Sequence, residues 1–276
     1  MSELQKALEK AGDERENRQE PEERPVLKVF ENSDRSEPEE VDDGEKNNWV
    51  SPTYSQSRTV VLNPEAMERN RCVAMFPNLK EVESYRVLRT QILQRTRETG
   101  GNLIMITSAL PGEGKTTTAI NLAFTFAREF KQTVLLVDCD LKKQNIHEVM
   151  GFRSDRGLGD YLLGECSTNE LFVWPAIEKL TLISGGKTMH ESSEIIGSPR
   201  MKELVADMKN RYPERYIFFD VPSILTGADA LTFAPLVDHI LMVVQADKTP
   251  MGEVNKAAQL IPKEKLLGLV LNRCHV

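Results

Sequence analysis

The sequence predicts an α/β fold: a mostly parallel sheet with helices on both faces, preceded by a disordered acidic tail. Three observations carry this. After Gly100–Gly101 the chain alternates short apolar runs with stretches at helical spacing. The first of these runs leads through a glycine-containing loop into a helix, and two later runs end in aspartate. Finally, the first 60 of the 276 residues hold 16 acidic and 9 basic side chains, the whole net charge of −7, while the rest hold 26 of each sign.

Only 14 of those 60 residues are hydrophobic, against 40% for the whole chain, too few to offset the entropy of ordering. Residues 1–60 therefore read as tail, 61–100 as an extended segment plus a helix, and 101–276 as the globular domain. Within the tail, Leu4, Ala7, Leu8 and Ala11 make a thin stripe over 2–18, a transient helix or, as the alternative, a partner-docking one. Residues 19–58 read as linker, and Val60–Leu62 begins an extended stretch. Val82, Tyr85, Leu88, Arg89 and Ile92 predict a helix over 81–97.

Leu103–Thr107 then reads as a buried strand and Thr116–Glu129 as a helix. Thr133–Val137 and Leu180–Ser184 are strands, Glu194–Arg211 is an amphipathic helix, and Tyr216–Phe219, Ile240–Val244 and Leu267–Leu271 are strands. Wholly apolar strands with helices between them imply a parallel sheet covered on both faces. Ligands of such sheets sit at the carboxyl ends of the strands.

Composition excludes several classes. A neutral body with an acidic tail argues against nucleic-acid binding. No run of 18 apolar residues is present, so no membrane span is expected. Cys72, Cys139, Cys166 and Cys274 lie far apart, which argues against a zinc or disulfide framework and fits a reduced cytoplasm.

The strongest motif follows the first strand: Ser108-Ala-Leu-Pro111-Gly112-Glu113-Gly114-Lys115-Thr116-Thr117. Strand, glycine loop, Lys-Thr and helix are the context of a P-loop, so the fold reads as a P-loop NTPase. Glycines let successive N–H groups point into one concavity, and the following helix adds its positive end. Lys115 would reach the β- and γ-phosphates of ATP, and Thr116 would give a hydroxyl to Mg²⁺. The strict pattern wants glycine at 109, where this chain has Ala109. Two further strands end in Asp138-Cys139-Asp140 and in Asp220-Val221-Pro222. Asp220 reads as the Walker B carboxylate acting on Mg²⁺. Of Asp138 and Asp140, one would face the γ-phosphate and the other contact metal or the loop. Asn272, at the end of the last strand, is a candidate for hydrogen bonding the base edge or a turn residue.

Together these motifs resemble those of the bacterial tyrosine kinases (BY-kinases) of polysaccharide export, P-loop proteins related to the Min and Par ATPases. The family's P-x-E-G-K-[ST] is met by Pro111 to Thr116, its D-x-D-x-R by Asp138 to Lys142 except at its last position, and its D-x-P by Asp220 to Pro222. Its E-x-x-R-x-x-R is met by Glu83, Arg86 and Arg89, offsets that share a helix face. The resemblance covers roughly residues 75–276.

The resemblance implies an ATP- and Mg²⁺-dependent tyrosine autokinase controlling exopolysaccharide assembly. Asp138 would contact the metal and act as base toward a tyrosine hydroxyl, supported by Asp140, with Lys115 stabilising the transferring phosphoryl group. Metal contacts would come from Thr116, Asp138 and Asp220. Glu83, Arg86 and Arg89 would make the contacts of a homo-oligomeric ring. The activating partner would be a membrane-embedded polysaccharide co-polymerase on a separate chain, placing this one in the cytoplasm at the inner face of the membrane.

Two departures stand out. The C-terminal tyrosine cluster usual in the family is missing, which leaves Tyr54 as the candidate phospho-acceptor, and Lys142 replaces the usual arginine. An ATPase switch of the same export system that does not phosphorylate itself is the alternative. A Par- or Min-type positioning ATPase fits less well, because its early loop lysine is Leu110 here.

Overall fold

The computed structural model describes residues 57–76, 78–129, 132–212 and 214–274. The expected 2–18 helix, nearly all of the 19–58 linker and Tyr54 lie outside the described residues.

The chain enters through β1 (Arg58–Thr59), α1 (Pro64–Arg69) and α2 (Val82–Thr99). Then follow β2 (Leu103–Ser108), α3 (Lys115–Ala127), β3 (Thr133–Asp138), and three short helices α4 (Ile146–Met150), α5 (Leu158–Leu162) and α6 (Thr168–Leu171). The remainder is β4 (Val173–Trp174), β5 (Leu180–Ile183), α7 (Ser192–Ile196), α8 (Pro199–Arg211), β6 (Arg215–Asp220), α9 (Asp229–Phe233), β7 (His239–Gln245), α10 (Met251–Leu260) and β8 (Leu266–Asn272).

Among the described residues the strands form one sheet in the order β1-β4-β5-β3-β6-β2-β7-β8. All neighbours run parallel except β4 and β5. The wholly apolar runs become the buried middle of this sheet because both faces are covered. Side chains alternate: Leu103 and Met105 enter one core beneath α8, α9 and α10, while Ile104 and Ile106 enter the other beneath α2 and α3. The 61–100 segment contributes Met67, Cys72, Ala74, Ile92 and Leu93 to the second core.

The helix expected over 194–211 is two helices. Pro199 lacks the N–H an interior position must donate, so the chain restarts there with proline in the first turn. Ser198 caps the new helix, its Oγ accepting from the Met201 N–H at 3.3 Å.

The parallel strands point their carboxyl ends to one edge. Asp138 ends β3 directly beside Asp220 at the end of β6, and Gln245 ends β7 beside Asn272 at the end of β8. The loop between β2 and α3 opens at the same edge.

Candidate functional site

The phosphate loop is shaped by two glycines in the left-handed region, Gly112 (φ 82°) and Gly114 (φ 94°). Gly114 caps α3. A Cβ there would lie 2.1 Å from Asn272 Nδ2, so glycine is required for space as well as for φ. Ala109 fits where the strict pattern has glycine because its methyl is fully buried in the first core.

Glu113 turns its carboxylate into the protein rather than toward the loop's concavity, and the residue is only 2% exposed. One oxygen accepts from the Leu110 N–H at 2.7 Å. The other accepts from the Thr249 hydroxyl and, at 3.4 Å, from the Gln245 N–H. Asn272 Nδ2 donates to the Glu113 carbonyl at 2.8 Å. The segments after β7 and β8 thus pin the loop from behind. No local sequence pattern marks Thr249 and Gln245 as partners of a residue more than 130 positions away.

Lys115, Thr116, Asp138, Asp140 and Asp220 converge. Lys115 Nζ lies 3.0 Å from Asp140 Oδ2 and 3.4 Å from Asp220 Oδ1. Thr116 Oγ1 donates to Asp220 Oδ2 at 2.6 Å. Burial alone would lower the Lys115 pKa, but the charges of Asp220, Asp140 and Asp138 raise it, so its ammonium stays charged. Asp138 Oδ2 accepts from the Asn145 and Ile146 N–H groups, both at 3.1 Å, and its Oδ1 from the Asp140 N–H at 3.2 Å. Burial, then repulsion from Asp220, pushes Asp138 up to about 7 against these hydrogen bonds. Burial raises Asp220 as well, opposed by Lys115 and Thr116. The two residues of the Asp138–Asp140 pair divide their work: Asp140 holds the lysine, while Asp138 meets backbone.

Thr117 continues the first turn of α3, and Pro111 and Gly112 are exposed at the loop tip. Asn272 stands behind the loop. On α2, Glu83 and Arg86 form an exposed ion pair at 3.0 Å. Arg89 turns inward, donating to the Thr125 carbonyl at 3.0 Å and pairing with Glu129 at 3.2 Å. Behind them, burial raises the Tyr85 pKa, with the polar side chains of Thr118 and Asn121 on α3 acting in the opposite direction. Asn121 Oδ1 also accepts from the Ala74 N–H at 2.8 Å, and its Nδ2 donates to the Arg71 and Thr117 carbonyls. These contacts lock the entry segment onto the P-loop helix.

A P-loop on a parallel sheet, two strand-end carboxylates paired in register and a Lys–Asp–Thr cluster define a nucleotide-binding domain of the MinD/ParA class. The family model of the CobQ/CobB/MinD/ParA nucleotide-binding domain matches residues 104–275. The tyrosine-protein kinase YwqD of Bacillus subtilis is 34% identical over 208 residues, 75% of this chain and 86% of its own. The succinoglycan biosynthesis transport protein ExoP of Rhizobium meliloti is 32% identical over 74% of this chain, which spans only 26% of ExoP. The crystal structure of the chimerical protein CapA2B2 superimposes with a TM-score of 0.68 at 28% identity, covering 79% of this chain and 93% of that one. The chain belongs to the bacterial tyrosine-protein kinase family.

Proposed function

We propose that this chain is an ATP- and Mg²⁺-dependent protein-tyrosine kinase of exopolysaccharide synthesis and export. The observation that carries this is the cluster of Lys115, Thr116, Asp138, Asp140 and Asp220 at the mouth of the phosphate loop, in a chain of this family. The donor set fits Mg²⁺: hard hydroxyl and carboxylate oxygens, with Thr116 Oγ1 and Asp220 Oδ2 side by side. Thr116, Asp138 and Asp220 would hold it. When bound, Mg²⁺ supplies positive charge to the β- and γ-phosphate oxygens.

The loop's N–H groups and Lys115 would hold the phosphates of ATP and stabilise charge on the transferring group. Asp138 would accept the phenolic proton as the tyrosine oxygen bonds to the γ-phosphorus and the bond to ADP breaks. Asp140 would keep Lys115 in place. Asn272 would reach the base edge only with the side of its amide not donated to Glu113. Glu83, Arg86 and Arg89 would contribute to a homo-oligomeric ring, in which Arg89 acts through its hold on α3. Among the described residues no helix is long and apolar enough to cross a membrane. A membrane-embedded polysaccharide co-polymerase on another chain would hold this one at the inner face of the membrane.

Tyr54 is the proposed acceptor. Tyr85 and Tyr216 are poor candidates: Tyr85 is held by burial against α3, and the buried Tyr216 hydroxyl pairs with Thr96 at 2.8 Å. The test is incubation with γ-labelled ATP and Mg²⁺ in the presence of the partner's cytoplasmic segment. Label on tyrosine that is lost in Lys115→Met supports the kinase. Phosphate release without labelled protein overturns it in favour of an ATPase switch. Unchanged labelling in Tyr54→Phe removes Tyr54 as the acceptor.

A further inference from the structure

A further buried carboxylate near the site has no part in the proposed phosphotransfer. Asp229, at the start of α9, is 2% exposed. Its Oδ2 accepts from Lys142 Nζ at 2.7 Å, and its Oδ1 accepts from the Ser192 hydroxyl of α7. Lys142 follows Asp140 by two residues, and between them the fully buried Leu141 accepts at its carbonyl from the Met189 N–H at 2.9 Å. A Cβ on Gly227 would lie 3.3 Å from Asp229 Oδ2 and 3.7 Å from Lys142 Nζ, so the approach is tight. Three segments therefore meet on one carboxylate: the turn after β3, the stretch entering α7 and the chain leaving β6.

We propose that Asp229 is a positioning residue that fixes the Asp138–Lys142 turn against the phosphate site, and that Lys142 and Ser192 together do the work of one arginine. A buried carboxylate needs both oxygens satisfied. A guanidinium fork spans both at once, whereas an ammonium is a point donor. Lys142 takes one oxygen and the Ser192 hydroxyl takes the other. The lysine in place of the family's arginine thus has its counterpart 50 residues downstream. The idea deepens the proposed phosphotransfer site and rests on that reading for its effect on turnover.

The experiment compares wild type with Asp229→Asn, Ser192→Ala, Lys142→Arg and the Ser192→Ala/Lys142→Arg double variant in the full chain. Label transfer, phosphate release, binding of a fluorescent ADP analogue and the urea unfolding midpoint are measured on each. Asp229→Asn should lower turnover roughly 10- to 100-fold, because a loosened turn misplaces the reacting groups. Nucleotide affinity should stay within about threefold, since the phosphate loop is untouched. Ser192→Ala should lower both turnover and the midpoint, and adding Lys142→Arg should restore both. Failure of the arginine to rescue Ser192→Ala overturns the proposal, as does a fall in nucleotide affinity equal to the fall in turnover. If wild type neither transfers label nor releases phosphate, the kinase reading alone fails. The midpoints then decide: rescue by arginine supports the paired role, and no rescue refutes it.

Discussion

Removing the Glu113 carboxylate tests whether the phosphate loop is held from behind. In Glu113→Ala, the Leu110 N–H loses a 2.7 Å acceptor, and the Thr249 hydroxyl and Gln245 N–H lose theirs. A hydrogen bond to a charged group contributes about 1.5–3 kcal/mol. The long Gln245 contact counts for little, and the Thr249 hydroxyl can turn to another acceptor. The net loss is then about 2–4 kcal/mol, dominated by the Leu110 N–H. If about 2 kcal/mol of it falls on the binding-competent shape of the loop, nucleotide Kd rises roughly 30-fold. Glu113→Gln separates shape from charge. Its carbonyl still accepts from Leu110 and its amide can donate to Thr249 Oγ1, so Kd should rise only about threefold. The assay is titration with a fluorescent ADP analogue, with urea unfolding run in parallel. Wild-type affinity in Glu113→Ala, or equal losses in the Ala and Gln variants, would refute the clamp.

Gly114→Ala should abolish nucleotide binding in the same titration, since φ 94° and the Asn272 contact at 2.1 Å both oppose a side chain; Asn272→Ala in addition should recover part of it. Asn121→Ala strands the Ala74 N–H and the Arg71 carbonyl, and should lower stability by about 2–4 kcal/mol, read as a shifted urea midpoint at unchanged m. Burial pushes the Asp238 carboxyl up, but Lys209 at 2.5 Å and the Leu103 and Asn102 N–H groups outweigh it, so its folded pKa lies below the usual carboxylate value. Its contribution is therefore present above the unfolded carboxylate pKa of about 3.9 and is lost as pH falls through the lower folded value. Asp238→Asn should flatten the fall of the urea midpoint below about pH 4; an unchanged acid limb would show that other carboxylates set it.

What the sequence reveals and what it hides divide along one physical line. Buried parallel strands and the phosphate loop are written locally: apolar runs, glycines where φ is positive, an aspartate at a strand end. Those elements appear within a residue or two of their expected bounds. Pro199 was also local, but the apolar spacing across Ile195, Ile196 and Met201 masked the break it makes. α10 buries only Val254 and Ala257, too sparse a stripe to stand out, and β4 is two residues long. The partners of Glu113, Asn121 and Asp229 come from distant turns, and nothing in the neighbouring residues foretells them. Arg89 shows the same limit. Helical offsets group it with Glu83 and Arg86, but its guanidinium follows the carbonyl and carboxylate at the end of α3.

Charge ties these pieces to one chemistry. Asp138, Asp140 and Asp220 crowd one ammonium, that of Lys115, at a site where burial strengthens every interaction. The strain appears where relief is least. Asp220 has Lys115 and Thr116, and Asp140 has Lys115 and the Lys143 N–H, but Asp138 meets only backbone N–H groups and is the carboxylate pushed to about 7. The upward direction suits a group that takes up a proton, the role proposed for Asp138, and a bound cation would pull it back down. It also means that the site is short of positive charge, as a site built to receive a nucleotide together with its cation must be. An arriving phosphate would compete with Asp140 and Asp220 for Lys115, and the two released carboxylates would then need a new partner. The cation proposed for Thr116, Asp138 and Asp220 would partner Asp220 directly and add positive charge beside Asp140, so nucleotide and Mg²⁺ should each bind more tightly in the presence of the other.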